Sequence, residues 1–345
     1  MSAPIRPPTV RGRTRHHVVA LTAGMLVLGL VCLLSIAIGA RQIPLTQVVR
    51  SLVDPGQAPE DILAIVRGLR LPRTALGLLA GAAIGLAGAV MQGLTRNPLA
   101  DPGLLGVSAG AAFGIVTASA VLHLTGLYGY IWFAILGALL ASAVVYLLGG
   151  VGRGGATPVK LALAGVGVTL LLGSLTSAIV LASPLALDRY RFWTAGSIAG
   201  QTSGTLLRVL PFLAVGILAA LALAPALNSL ALGDQVATAL GRRVGLIRLG
   251  GAAAVTVLAA ATVAVTGPIV FVGLVVPHLV RMITGPDYRW LLPYTLVLAP
   301  ILLLTADIAG RVVARPGEIQ VGVIVAFLGA PFFIALVRRR RLAEL

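Results

Sequence analysis

Charge is what this chain has least of. Only 10% of its 345 residues are Asp, Glu, Lys or Arg, while 58% are hydrophobic and the mean hydropathy is +1.03. A soluble domain carries about a quarter charged residues, so this sequence lacks the polar shell of a water-soluble globule. Lysine is nearly missing, with Lys160 alone. No Gly-rich loop ending in Gly-Lys-Ser/Thr occurs, so the phosphate cradle of a nucleotide-hydrolysing chain is absent. The single cysteine, Cys32, excludes an internal disulfide or a cysteine metal cluster and reads as a small buried hydrophobe. His16, His17, His123 and His278 lie far apart, without metal-ligand spacing. A membrane-embedded enzyme therefore finds little support, and no cofactor is expected.

What the chain does have is long apolar runs. Runs of about 20 residues recur, each enough to cross a bilayer as a helix. They are continuous rather than alternating at period two, which selects helices over a barrel. The 42 glycines and the many alanines suit close helix packing in lipid. The expected fold class is an all-α integral membrane protein of about ten transmembrane helices. The expected cores are 18–40, 72–94, 103–122, 127–149, 159–182, 205–227, 249–266, 270–284, 290–310 and 321–337. A short non-crossing helix from Leu185 to Gly200 is expected within 183–204. No soluble domain is evident, so 1–345 reads as one transmembrane unit. A basic N-terminal tail over 1–17 runs into an uncleaved first span.

The formal charge of +16 resembles a nucleic-acid signal. The arginines, however, sit at the ends of apolar runs and in the tails, as the positive-inside rule expects of a chain in membrane lipid. No nucleic-acid partner is expected. Both tails are basic, so both are placed in the cytoplasm, which requires an even number of spans. Arg96, Arg153, Lys160, Arg242, Arg243, Arg248, Arg281 and Arg289 then share that side. One segment breaks the pattern. Arg41, Arg50, Arg67, Arg70 and Arg73 fall outside, and they either have a separate use or are partly neutralised by Asp54, Glu60 and Asp61.

Two stretches set prolines and polar groups against long apolar helices: Asn97 to Gly106 and Gly273 to Arg281. Helix breakers at such places mark a re-entrant turn, a gate or a contact surface. A faint echo links Gly103-Leu104-Leu105-Gly106-Val107 with Gly273-Leu274-Val275-Val276. Leu232 to Arg243 reads as one short helix, capped by Asp234 and ended by Gly241. Leu232, Val236 and Leu240 share one of its faces. Such a helix either enters a groove on another protein or lies on the membrane surface. Asp307 and Arg311, one turn apart near a span end, either pair with each other or face a water-filled space. Glu318 is a further partner for the arginine. His278 and Arg281 are either a solvated helix end or a specific site.

Several motifs then occur in the order of a known family. They are Leu69-Arg70-Leu71-Pro72-Arg73, Gly88-Ala89-Val90-Met91-Gln92, Asn97-Pro98-Leu99-Ala100, Gly106-Val107-Ser108-Ala109-Gly110-Ala111, Phe271 to His278, Ala306-Asp307-Ile308-Ala309-Gly310-Arg311 and Leu328-Gly329-Ala330-Pro331-Phe332. From about Leu69 to Leu336 the chain resembles the permease subunits of iron-siderophore and vitamin B12 ABC importers. The resemblance implies a ten-span, type II ABC importer permease fold in the bacterial cytoplasmic membrane. Its implied partners are a second permease copy or paralogue, two ABC ATPase subunits in the cytoplasm, and a periplasmic or lipid-anchored substrate-binding protein outside.

It also implies an ATPase coupling helix over 232–243, with Leu232, Gly233, Asp234, Val236, Leu240, Gly241, Arg242 and Arg243. Docking of the binding protein would fall to Arg70, Arg73 and Arg311, and an inner gate to Asn97, Pro98 and Leu99. The family's second gate strip is departed from at Thr157-Pro158-Val159. The implied cargo is an iron(III)-siderophore chelate, with cobalamin or haem as alternatives. The rival class is an ion-coupled secondary transporter, for which Asp307 is the best ionisable candidate.

Overall fold

The computed structural model describes residues 10–124, 127–151 and 157–338, and every regular element among them is helical. The first half comprises α1 (Val10–Ala37), α2 (Leu45–Val53), α3 (Glu60–Leu63), α4 (Leu71–Thr95), α5 (Val107–Val121), α6 (Leu127–Gly150) and α7 (Pro158–Ala182). Then follow α8 (Pro184–Thr194), α9 (Ser203–Ala222), α10 (Ala224–Ala231), α11 (Asp234–Ala239), α12 (Val244–Thr266), α13 (Val272–Thr284), α14 (Tyr288–Val313) and α15 (Val321–Arg338). Residues 1–9, Arg153 and the basic residues beyond Arg338, which entered the sequence argument for orientation, lie outside the described residues.

A helix stands at each of the ten expected core positions. Among the described residues, seven helices are long and apolar enough to cross a membrane; α5, α13 and the apolar part of α15 are shorter. The 13 residues of α13 rise only ~20 Å, against a hydrocarbon core of ~30 Å. Its N-terminal side is irregular chain, with Gly267 and Phe271 both at positive φ. The short helix expected within 183–204 is α8, which Ser183 caps by accepting from the Ala186 N–H.

Two departures concern helices that charge or proline hid. The 41–71 connection is largely helical. A π-helical turn, Ala64–Arg70, joins α3 to α4, so one continuous helix runs from Glu60 to Thr95. The span expected over 205–227 divides after Ala222, and α10 restarts with Pro225 in its first turn, where a missing N–H costs nothing.

The hub is α4. Every residue from Ala80 to Leu94 is buried, against α9, α12, α13 and α14. At Gly88 its backbone meets the backbone of Gly273 on α13, so closely that a Cβ on Gly88 would fall on the Gly273 carbonyl. Only glycine permits this approach. Two of the quoted motifs are therefore the two sides of one contact. By contrast, most of the α1 and α7 surfaces is not covered by the rest of the chain. The bundle has two ends. The one with the start of α1, the 96–106 loop and α11 is called here the tail-side end; the other is the far end.

Candidate functional site: the two charged ends of the bundle

At the far end, α1 stops at Ala37, and its last carbonyls have no partner within the helix. Arginines from elsewhere fill them. Arg311 Nη1 donates to the carbonyls of Ser35 (2.8 Å) and Ile38 (2.7 Å), and its Nη2 to Ser35 Oγ (2.9 Å). Arg70 donates to Ile36, Ala37 and Arg41, and Arg315 to Gly39. Guanidinium groups suit a helix C-terminus by charge as well as by geometry. Arg67 does the same for α2, donating to Ser51 and Leu52, each at 2.8 Å.

A buried carboxylate supplies counter-charge to this cluster. Asp307 is 0% exposed and pairs with Arg73 at 2.7 Å and with Arg311, one turn on, at 2.8 Å. Glu318, offered by the sequence as a partner for Arg311, pairs instead with Arg73 at 2.7 Å. Arg73 and Arg311 thus meet on Asp307, while Arg70 spends its donors on the end of α1 and on the Arg41 carbonyl beyond it. Arg70 and Arg311 are buried, whereas Glu318 is 38% exposed. Of the five arginines in 41–73, Arg41 pairs with Asp61 and Arg50 lies exposed. A cavity of about 470 Å³ opens at this end, lined by Tyr130, Trp193, Gln201, Glu318 and Gln320 among others.

The tail-side end is built differently. After Thr95 the chain turns through Arg96, a non-glycine residue in the left-handed region (φ 50°, ψ 36°). Asn97 Oδ1 accepts the Leu99 N–H at 2.9 Å, and the Ala100 N–H bonds the Asn97 carbonyl at 3.1 Å. Pro98 at the second position of this turn presets its φ. Asp101 then accepts the Gly103 N–H at 2.7 Å. Burial pushes its carboxyl above the usual carboxylate range, and the Gly103 N–H pulls it the other way. A cavity of about 40 Å³ lies between Asp101-Pro102-Gly103 and Pro268-Ile269-Val270, so the irregular chain before α5 and that before α13 face each other. Gln92 on α4 donates to the carbonyls of Gly273 and Leu274. His278 lies edge-on to Phe332 of the last motif, with ring centroids 6.1 Å apart. Gly106-Val107-Ser108-Ala109-Gly110 has the spacing of a nucleophile elbow, but Ser108 stands in the first turn of α5 and no strand precedes it.

The short helix α11 covers only Asp234–Ala239 of the expected 232–243: Leu232 ends α10, Gly233 breaks the chain at φ +102° and Leu240 follows the last helical residue. Gly241 ends it with φ +76°, the Arg242 N–H reaching the Ala237 carbonyl and the Gly241 N–H that of Thr238, a Schellman closure. Asp234 does not cap the helix, as the sequence had suggested. It is the first helical residue, and its side chain pairs sideways with Arg248 (2.8 Å) and Arg96 (3.6 Å). Leu232, Val236 and Leu240 are between 45% and 62% exposed. Thr157, in the departed gate strip, caps α7 by accepting the Lys160 N–H.

The FecCD transport family matches residues 26–339. This chain belongs to that family. Among its FecCD-like relatives, the ferric enterobactin transport system permease protein FepD of Escherichia coli (strain K12) is 48% identical over 93% of this chain and 97% of that one. The iron(3+)-hydroxamate import system permease protein FhuB of Bacillus subtilis (strain 168) is 40% identical over 95% and 85%. The hemin transport system permease protein HmuU of Yersinia pestis is 38% identical over 79% and 83%. A solved structure of a metal-chelate type ABC transporter in an inward-facing conformation superposes with a TM-score of 0.81, at 30% identity, over 93% of this chain and 99% of that one. The FecCD chain is thus a multi-span membrane permease with the type II importer fold.

Proposed function

We propose that this chain is the membrane-spanning subunit through which an ATP-driven importer carries an iron(III)-siderophore chelate across the bacterial cytoplasmic membrane. The observation that carries this is the 48% identity to a ferric enterobactin permease along nearly the full length of both chains. In this reading the tail-side end faces the cytoplasm, as do both termini, and two partner ATPases hydrolyse the ATP. A second permease copy or paralogue packs beside the chain, and the exposed apolar surface of α7 is available for it. The Asn97-Pro98-Leu99 turn acts as the inner gate.

The coupling segment within 228–248 centres on α11. Its support is the exposure of Leu232, Val236 and Leu240 on and beside a helix too short to cross, with Gly233 and Gly241 bounding it and Arg242 and Arg243 following. A binding protein docks at the far end. Arg73 is the contact we favour there, because its partner Glu318 lies at the surface. Arg70 and Arg311 hold the end of α1 beneath it. Ion-coupled transport is disfavoured, because Asp307 is already held by two guanidinium groups.

Haem is the second cargo, favoured by the HmuU likeness. Uptake of labelled ferric siderophores, haem and cobalamin in a strain lacking the gene, with and without its restoration, tests the reading. Loss of ferric siderophore uptake alone is expected. Loss of haem or cobalamin uptake instead would move the cargo, and no loss of any would contradict the function.

A further inference from the structure

Asp234 holds two arginines unequally. Its Oδ2 accepts a hydrogen bond from Arg248 Nη2 at 2.8 Å. Its Oδ1 lies 3.6 Å from Arg96 Nη2, too long for a hydrogen bond. That Oδ1 is shut off from solvent and makes no hydrogen bond, and the same holds for Arg248 Nε. A complete arginine–carboxylate fork uses two parallel N–H donors, and here one prong is made and the other is not. Arg248 Nε thus lacks a bond that this oxygen could accept, and Arg96 stands at ion-pair distance from the same oxygen. Arg248 belongs to α12 and Arg96 opens the Asn97 turn. Gly233 at φ +102° sets the entry to α11 and lies against the Arg96 guanidinium, 3.7 Å from a Cβ placed there. An unpaired buried oxygen is unfavourable, so each completed arrangement is a separate minimum.

We propose that Asp234 is a two-position tie. In one position it completes the fork with Arg248 and joins α11 to α12; in the other it closes on Arg96 and joins α11 to the Asn97 turn. Exchange between the two carries a displacement of α11 into the turn. Arg96 is then a positioning residue for transport. This rests on reading α11 as the ATPase contact and the turn as the inner gate. A transmitting element needs two discrete arrangements that both sites bias, and one carboxylate oxygen with two candidate donors provides them.

The test uses the assembled permease, ATPase and binding protein in proteoliposomes. Spin labels are placed at Gln235→Cys and Thr95→Cys, beside the turn, in a Cys32→Ser background. Two label separations, exchanged by trapped ATP, are expected with Arg96 intact. Arg96→Gln should leave one separation and lower the chelate transported per ATP by about tenfold, within the usual range of coupling between sites. Arg96→Lys, which keeps the charge, should restore both separations and most of the ratio. If Arg96→Gln kept both separations and the ratio, the tie would be overturned. If the separation ignored ATP even with Arg96 intact, the tie and the reading beneath it would fall together.

Discussion

The two ends of the bundle hold their charges in opposite ways. At the far end every described donor of Arg311 and Arg73 has an acceptor, and Asp307 meets both. At the tail-side end Asp234 Oδ1, Arg248 Nε and Arg281 Nε are buried without a hydrogen bond. A saturated network is rigid, whereas a half-satisfied one has somewhere to go. The far end fastens α1, which little else of the chain covers. The tail-side end joins the turn after α4 to a short helix flanked by exposed leucines. With the proposed tie, fastening and transmission are divided between the two ends.

The comparison breaks most severely at Asp307. Asp307→Asn leaves the buried Arg311 without its counter-charge and Arg73 with Glu318 alone, expected to cost ~3–5 kcal/mol. Thermal unfolding in detergent micelles should show a permease that is lost or strongly destabilised. Replacing Leu232, Val236 and Leu240 together by Ser should instead spare the fold and weaken ATPase binding at least about a hundredfold, ~2.7 kcal/mol. Co-purification with the ATPase against an unchanged melting temperature separates those effects.

Gly88→Ala probes the hub between the ends. Its Cβ would strike the Gly273 carbonyl, and overpacking of this kind costs ~1–3 kcal/mol, again read as a lower melting temperature. Arg67→Ala, which frees the carbonyls of Ser51 and Leu52, should cost about 1 kcal/mol and loosen α2. Amide exchange over 45–53 would rise while that over α4 stayed the same.

Much of the fold was legible because a membrane span is a matter of length. An apolar run long enough to cross carries its own evidence, and a helix stands at all ten expected positions. The motif Gly88 to Gln92 and the motif Phe271 to His278 were each visible, but their mutual contact was not. Nothing in one sequence says which glycine faces which. The helical character of 41–70 was hidden because Arg67, Arg70 and Arg73 interrupt its apolar pattern. Two of them serve carbonyls 15 to 34 residues away, and Arg73 serves carboxylates more than 230 residues off. Asp234 looked like a cap because capping is a local rule. Arg96 and Arg248, its actual partners, reach it only through the fold. The Asp307–Arg311 pair was readable, being a single helical turn.

Hydrogen–deuterium exchange on the assembled complex, with and without trapped ATP, tests the division between a fastened end and a transmitting end most directly. Residues 35–41, 67–73 and 307–318 should stay protected in both states, while 96–106 and 232–243 change together. Exchange that rose at 35–41 on ATP binding while 96–106 stayed unchanged would contradict it.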